Sequence, residues 1–160
     1  MQFTQSMSYP GTVDEVVTMY LNPTYLERRF GQFVVEGSST VSVEGQRVSF
    51  AGTVRPELIP AAAARFVKSD LRIAFTEEWT TDEAEATSRT SVTVDGAPVS
   101  VEATSTLAGT EEGSVRVVTG NVSVRVPLLG GRIEKEAVAH LGRVVEREQA
   151  LATQWLEEHR

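Results

Sequence analysis

Residues 2 to 9 (QFTQSMSY) alternate, with Phe3, Met7 and Tyr9 on one parity and Thr4, Ser6 and Ser8 on the other. That period of two predicts a half-buried strand. Pro10-Gly11 breaks it, and Thr12 can cap a helix whose first turn carries Asp14 and Glu15, where the helix dipole favours acids. Val13, Val16, Val17 and Tyr20 follow at helical spacing. Asn22-Pro23 ends that helix and can open a second short one, Thr24 to Phe30, closed by Gly31.

From Phe33 to Val126 the pattern predicts strands joined by tight turns. Val48, Phe50, Gly52 and Val54 alternate with Arg47, Ser49, Thr53 and Arg55, behind a short loop at Glu44-Gly45-Gln46. Asp95-Gly96 lies between Val92-Thr93-Val94 and Val99-Ser100-Val101 and is the strongest hairpin signal in the chain. Glu111-Glu112-Gly113 marks another turn, and the Ala-rich stretch between Pro60 and Val67 predicts a short helix interrupting the sheet. In the last strand the apolar parity changes, from odd at Val115 and Val117 to even at Val122, Val124 and Val126. A β-bulge near Val118 to Gly120 is expected from that shift.

The final segment, Gly130 to Glu158, predicts a helix on the order of 40 Å long at 1.5 Å per residue. At 100° steps, Ile133, Ala137, Val138, Leu141, Val144, Val145, Leu151, Ala152, Trp155 and Leu156 fall in one broad arc. An arc that wide covers a sheet rather than forming a coiled-coil seam. No repeat or linker divides the chain, so residues 1–160 are expected to form a single domain. The fold class expected is α+β: a curved antiparallel sheet of about seven strands around a long C-terminal helix, with two short helices after the first strand.

This order resembles the helix-grip fold of the START-like superfamily, which includes polyketide cyclases and lipid-transfer domains. Within it the chain looks most like a bacterial branch, the domain of unknown function 2505. The matching stretches are Tyr9-Pro10, Asn22-Pro23-Thr24-Tyr25-Leu26, Pro60 to Val67, Glu78-Trp79 and Pro127 through Glu134. The resemblance implies a cavity between sheet and terminal helix able to hold a hydrophobic ligand, and it carries over no catalytic residue.

Composition narrows the possibilities. The 160 residues hold no cysteine, which removes disulfides and thiolate chemistry, and the formal net charge of -7 without a basic cluster argues against a nucleic-acid partner. Neither a leader pattern nor a membrane span is visible, so a cytoplasmic location is expected.

Candidate chemistry is sparse. Glu134 and Glu148 interrupt the apolar arc of the last helix but stand roughly 21 Å apart along it, too far to act as a catalytic pair. Glu134 suits the helix dipole in the first turns. Glu148 is expected to be paired or at the rim, because burial without a partner would raise its pKa. Glu77 shares parity with Leu71, Ile73, Phe75 and Trp79; if that face is inward it enters the cavity as a polar anchor for a ligand group, the alternative being a strand end that emerges into solvent there. Arg47, Arg55, Arg72, Arg116 and Arg125 fall on the expected outer parity, so neighbouring strands offer Glu77 no counter-charge. His140 and His159 are the only histidines and suggest no metal site. Gly130-Gly131 lacks the companions of a phosphate loop. Trp155 and Trp79 are expected on inner faces, as core or cavity wall.

The leading expectation is a binder or carrier of an apolar or amphipathic small molecule, without catalytic residues, metal or cofactor. Its ligand-binding residues would be Phe3, Met7, Phe50, Val54, Phe75, Glu77, Trp79, Val101, Ile133, Leu141, Val144 and Glu148. The alternatives are an enzyme of cyclase or hydratase type using Glu77 or Glu148, and a protein-interaction module. Oligomeric state stays open.

Overall fold

The computed structural model describes residues 1–59, 61–65, 67 and 70–160. Strand β1 (Gln2–Tyr9) leads into α1 (Val13–Tyr20) and α2 (Pro23–Phe30); β2 (Thr40–Glu44) and β3 (Arg47–Thr53) follow. A single 3-10 turn at Pro56–Leu58 and the one-turn α3 (Ala61–Ala64) precede β4 (Arg72–Thr81), β5 (Glu85–Asp95), β6 (Val99–Gly109) and β7 (Ser114–Val124), and α4 (Gly130–Glu158) closes the chain. The short helix expected between Pro60 and Val67 is present as α3; Pro60 and Phe66 lie outside the described residues.

The helix starts follow from local chemistry. Thr12 accepts from the Glu15 N–H while Glu15 reaches back to the Thr12 N–H, a reciprocal capping box. Asn22 accepts from the N–H groups of Thr24 and Tyr25, and Pro23 takes the first helical position, where its missing N–H costs nothing.

The strands form one curved antiparallel sheet in the order β1-β7-β6-β5-β4-β3-β2. Every strand after β2 therefore lies beside its predecessor, and β1 pairs with the last strand, Gln2 opposite Asn121 through Tyr9 opposite Ser114. The expected bulge in β7 is absent. Its register against β6 runs without a slip from Gly109 opposite Ser114 to Val99 opposite Val124. Even-numbered residues face inward along the whole strand. Val115 and Val117 simply sit on the outer face, and the inner positions at that end are held by Ser114 and Arg116.

Helix α4 packs mainly on β1 and β7 and touches α1 and α2. Gly130 makes its start possible, because a Cβ there would stand 2.2 Å from the Val124 carbonyl oxygen. Glu134 ties the same corner together: its carboxylate accepts the Val124 N–H at 2.8 Å, and that bond holds its pKa below the usual range. Two apolar clusters form the core. Met7, Tyr9, Val16, Tyr20, Trp79 and Trp155 belong to one, under α1 and the end of α4. Leu26, Val34, Val48, Phe50 and Phe75 form the other, under α2. Among the described residues no helix is long and apolar enough to cross a membrane.

Candidate functional site

The inner face of the sheet is apolar at both ends and polar across a belt between them. Register places Glu77 opposite Thr90, Ser88 opposite Trp79, and Ser105 opposite Ser88, all on inward parity. Into this belt Arg116 extends from β7. Its Nη2 donates to Glu77 Oε2 at 2.9 Å and to Ser88 Oγ at 3.2 Å, and its Nε donates to Ser105 Oγ at 2.9 Å. Thr90 Oγ1 donates to Glu77 Oε2 at 2.7 Å, and Trp79 Nε1 donates to Glu77 Oε1 at 3.1 Å. Ser88 and Ser105 share a hydrogen bond of 2.5 Å.

Two helices complete the cluster. Arg29, in the last turn of α2, brings its Nη1 to 3.8 Å from Glu77 Oε1, and its Nε meets Glu148 of α4 in an ion pair. Aromatic rings line the guanidinium groups: Arg116 lies 4.8 Å from the ring centres of both Tyr20 and Trp79, and Arg29 lies 4.9 Å from Tyr20. Tyr20 also stacks on Trp79 and shares a 2.7 Å hydrogen bond with Tyr9.

Burial and pairing oppose each other here. Burial pushes the Glu77 carboxyl up, but Arg116 and then Arg29 outweigh it and hold the group below the usual carboxylate range. Burial likewise works against the charge on Arg29, and Glu148 and Glu77 overcome it, so its pKa is raised. Desolvation keeps the hydroxyls of Tyr9, Tyr20 and Tyr25 protonated. Glu77 is thus an ionised carboxylate with both oxygens engaged, a state that holds cations and has no proton to give at neutral pH.

Two findings correct the sequence reading. Glu77 does face inward, but it has counter-charges. Arg116 faces inward too, because β7 keeps one parity throughout. Extending the even positions of Val122 and Val124 back along the strand without a slip would have placed it there. Arg29 went unnoticed, although it lies one helical turn after the buried Tyr25, a spacing that puts both on one face.

The other expected site residues separate into groups. Met7 and Trp79 are packed in the first core cluster, and Phe50 and Phe75 in the second. Phe3 lies over Gly120, its partner across the β1–β7 pair. Leu141 is half-buried, and Val144 is exposed on the rim of α4. Val54 and Ile133 line an apolar cavity of about 240 Å³ beneath the first turns of α4. Its walls include Ile59, Leu71, Val94 and Val122, with hardly a polar atom among them. Between this cavity and the polar belt, Val92, Val101 and Ala103 on the inner face are only half-buried. Among the described residues no group of three or more side chains is placed to hold a metal ion.

The profile of the family described as "Protein of unknown function (DUF2505)" matches residues 4–156. The chain belongs to the DUF2505 family. An uncharacterised protein of Mycobacterium tuberculosis, Rv0481c, is 26% identical over 166 residues, covering 96% of this chain and 95% of its own. Among solved structures, the di-domain ARO/CYC StfQ of the steffimycin biosynthetic pathway superposes with a TM-score of 0.62 at 12% identity, over 99% of this chain and 51% of that one. A STAR-related lipid transfer protein fragment from Xanthomonas axonopodis gives 0.57 at 13%, over 91% and 84%. These likenesses establish the START-like helix-grip fold for this DUF2505 member.

Proposed function

We propose that this protein binds or carries an apolar or amphipathic small molecule in the space between the sheet and α4. The observation that carries this reading is the cavity walled by Val54, Ile59, Leu71, Val94, Val122 and Ile133. This half-open pocket of about 240 Å³ offers almost only apolar wall, so an apolar group entering it loses contact with water without giving up hydrogen bonds. Apolar walls beside a small set of polar groups are the usual composition of a small-molecule pocket. Membership of a fold shared with a lipid transfer protein is consistent with this use.

Glu77 belongs to the proposal as part of the polar end of the site, through the cluster it organises.

The test begins with purified protein, denatured and extracted with organic solvent, the extract being read by mass spectrometry. A co-purifying apolar compound is expected. In parallel, Val94→Phe fills the cavity and should abolish uptake of a small hydrophobic fluorophore while raising the melting temperature. Wild-type protein that yields no compound and takes up no fluorophore rejects the reading.

A further inference from the structure

Three buried polar atoms have no hydrogen-bond partner among the described residues: Tyr25 Oη, Arg29 Nη1 and Glu148 Oε1. Leaving a buried donor or acceptor unmet is costly, so three within one molecule call for an explanation. They belong together. Arg29 and Glu148 are in ion contact through Nε, without the alignment of a hydrogen bond. Tyr25 precedes Arg29 by one turn of α2, and its ring lies edge-on to Tyr20 at 5.7 Å, the same ring that Arg29 covers at 4.9 Å. Tyr25 is fully buried and the Arg29 side chain is 10% exposed.

The chemistry of the missing partner can be read from what is unmet. Arg29 Nη1 can only donate, an ionised Glu148 can only accept, and Tyr25 can do either. A hydroxyl group answers both demands, accepting from Arg29 and donating to Glu148. A charged group does not fit: the two arginines and two glutamates of the cluster cancel, and a further buried charge would stand unpaired.

We propose that Tyr25, Arg29 and Glu148 form a subsite for an uncharged hydroxyl at the polar end of an otherwise apolar ligand. This rests on the carrier reading above. Inward positions on β5 lead from Val94 in the pocket wall through half-buried Val92 to Thr90, which bonds Glu77, and the proposal lays the ligand's chain along them. Four residues of strand span about 13 Å, a length matched by a medium-chain alcohol.

The test compares 1-decanol, decyl methyl ether and decanoate by equilibrium dialysis with gas-chromatographic quantitation. The three probes share a chain and differ in whether the head donates, only accepts, or carries charge. Wild-type protein should hold 1-decanol about tenfold more tightly than either of the others, the scale of one well-made polar contact in a closed site. Tyr25→Phe, which keeps the ring, should reduce that preference at least about threefold, and Glu148→Leu should erase it; melting curves establish that both variants are folded. Binding of all three probes with equal affinity, or a preference untouched in Tyr25→Phe, overturns the subsite while leaving the carrier reading intact. Failure of every probe to bind overturns both.

Discussion

Arg116 on β7 donates to Glu77 on β4 at 2.9 Å, reaching past both of the strands that separate them. Because the two side chains are 2% and 1% exposed, removing either leaves the other charge stranded in the interior. Glu77→Gln and Arg116→Met should each cost about 3–5 kcal/mol. The double replacement Glu77→Leu with Arg116→Met should recover much of the loss, since a well-packed apolar pair avoids the desolvation penalty altogether. Urea denaturation of the three variants decides; single replacements that cost under about 0.5 kcal/mol would contradict the assignment.

The same pair sets an acid limit. The carboxyl of Glu77 has its pKa depressed in the folded protein, so below the ordinary carboxylate range, about pH 4, the unfolded chain takes up this proton first. Stability from Glu77 is therefore complete above that range and drains away as the pH falls toward the folded-state value. Chemical denaturation measured from pH 7 down to pH 3 should show the decline, and Glu77→Gln should flatten it. A Glu77→Gln curve parallel to wild type refutes the linkage.

Gly120 is required by its neighbours rather than by its own backbone. A Cβ there would stand 2.6 Å from Phe3 Cζ and 2.8 Å from Ala103 Cβ. Gly120→Ala should destabilise by about 1–3 kcal/mol through overpacking. Adding Phe3→Ala should relieve part of that strain, giving a favourable coupling in a double-mutant cycle. Strict additivity of the two losses would show that the ring is not what excludes the methyl group.

Thr12 controls the entry to α1. Its side chain and that of Glu15 each satisfy a backbone donor of the other. Thr12→Ala should cost about 1 kcal/mol, whereas Thr12→Ser keeps the capping hydroxyl and should leave stability unchanged. Thermal melts that place both variants level would mean the box adds nothing to stability.

The element order was readable in the chain because period, turn and cap signals agree at nearly every boundary: Thr12, Asn22-Pro23, Asp95-Gly96 and Gly130 all stand where an element starts or stops. Inward parity of Phe75, Glu77 and Trp79 was readable for the same reason. The polar belt was not. Hydrophobic alternation identifies an inner face by its apolar residues, and at Ser114 and Arg116 that face carries polar ones, so the valines beside them mislead. Arg29 and Glu148 meet across two helices far apart in the chain, and no local pattern announces such a partnership. A cavity was expected from the resemblance, but its place beneath the first turns of α4 was not readable: periodicity tells which residues point inward, whereas a gap depends on how completely they interlock.

Pairing of β1 with β7 has a consequence for biosynthesis. The first strand leaves the ribosome about a hundred residues ahead of β7, its sheet neighbour among the described residues, a delay of roughly 5–20 s at ordinary elongation rates. Throughout that interval Phe3, Met7 and Tyr9 are a sticky, unsatisfied ribbon, while the hairpins from β2 to β6 can already zip together one after another. Sheet closure should accordingly be the last event of folding, with amides of β1 and β7 gaining exchange protection after those of β4 and β5; simultaneous protection in a pulse-labelling experiment would rule this order out.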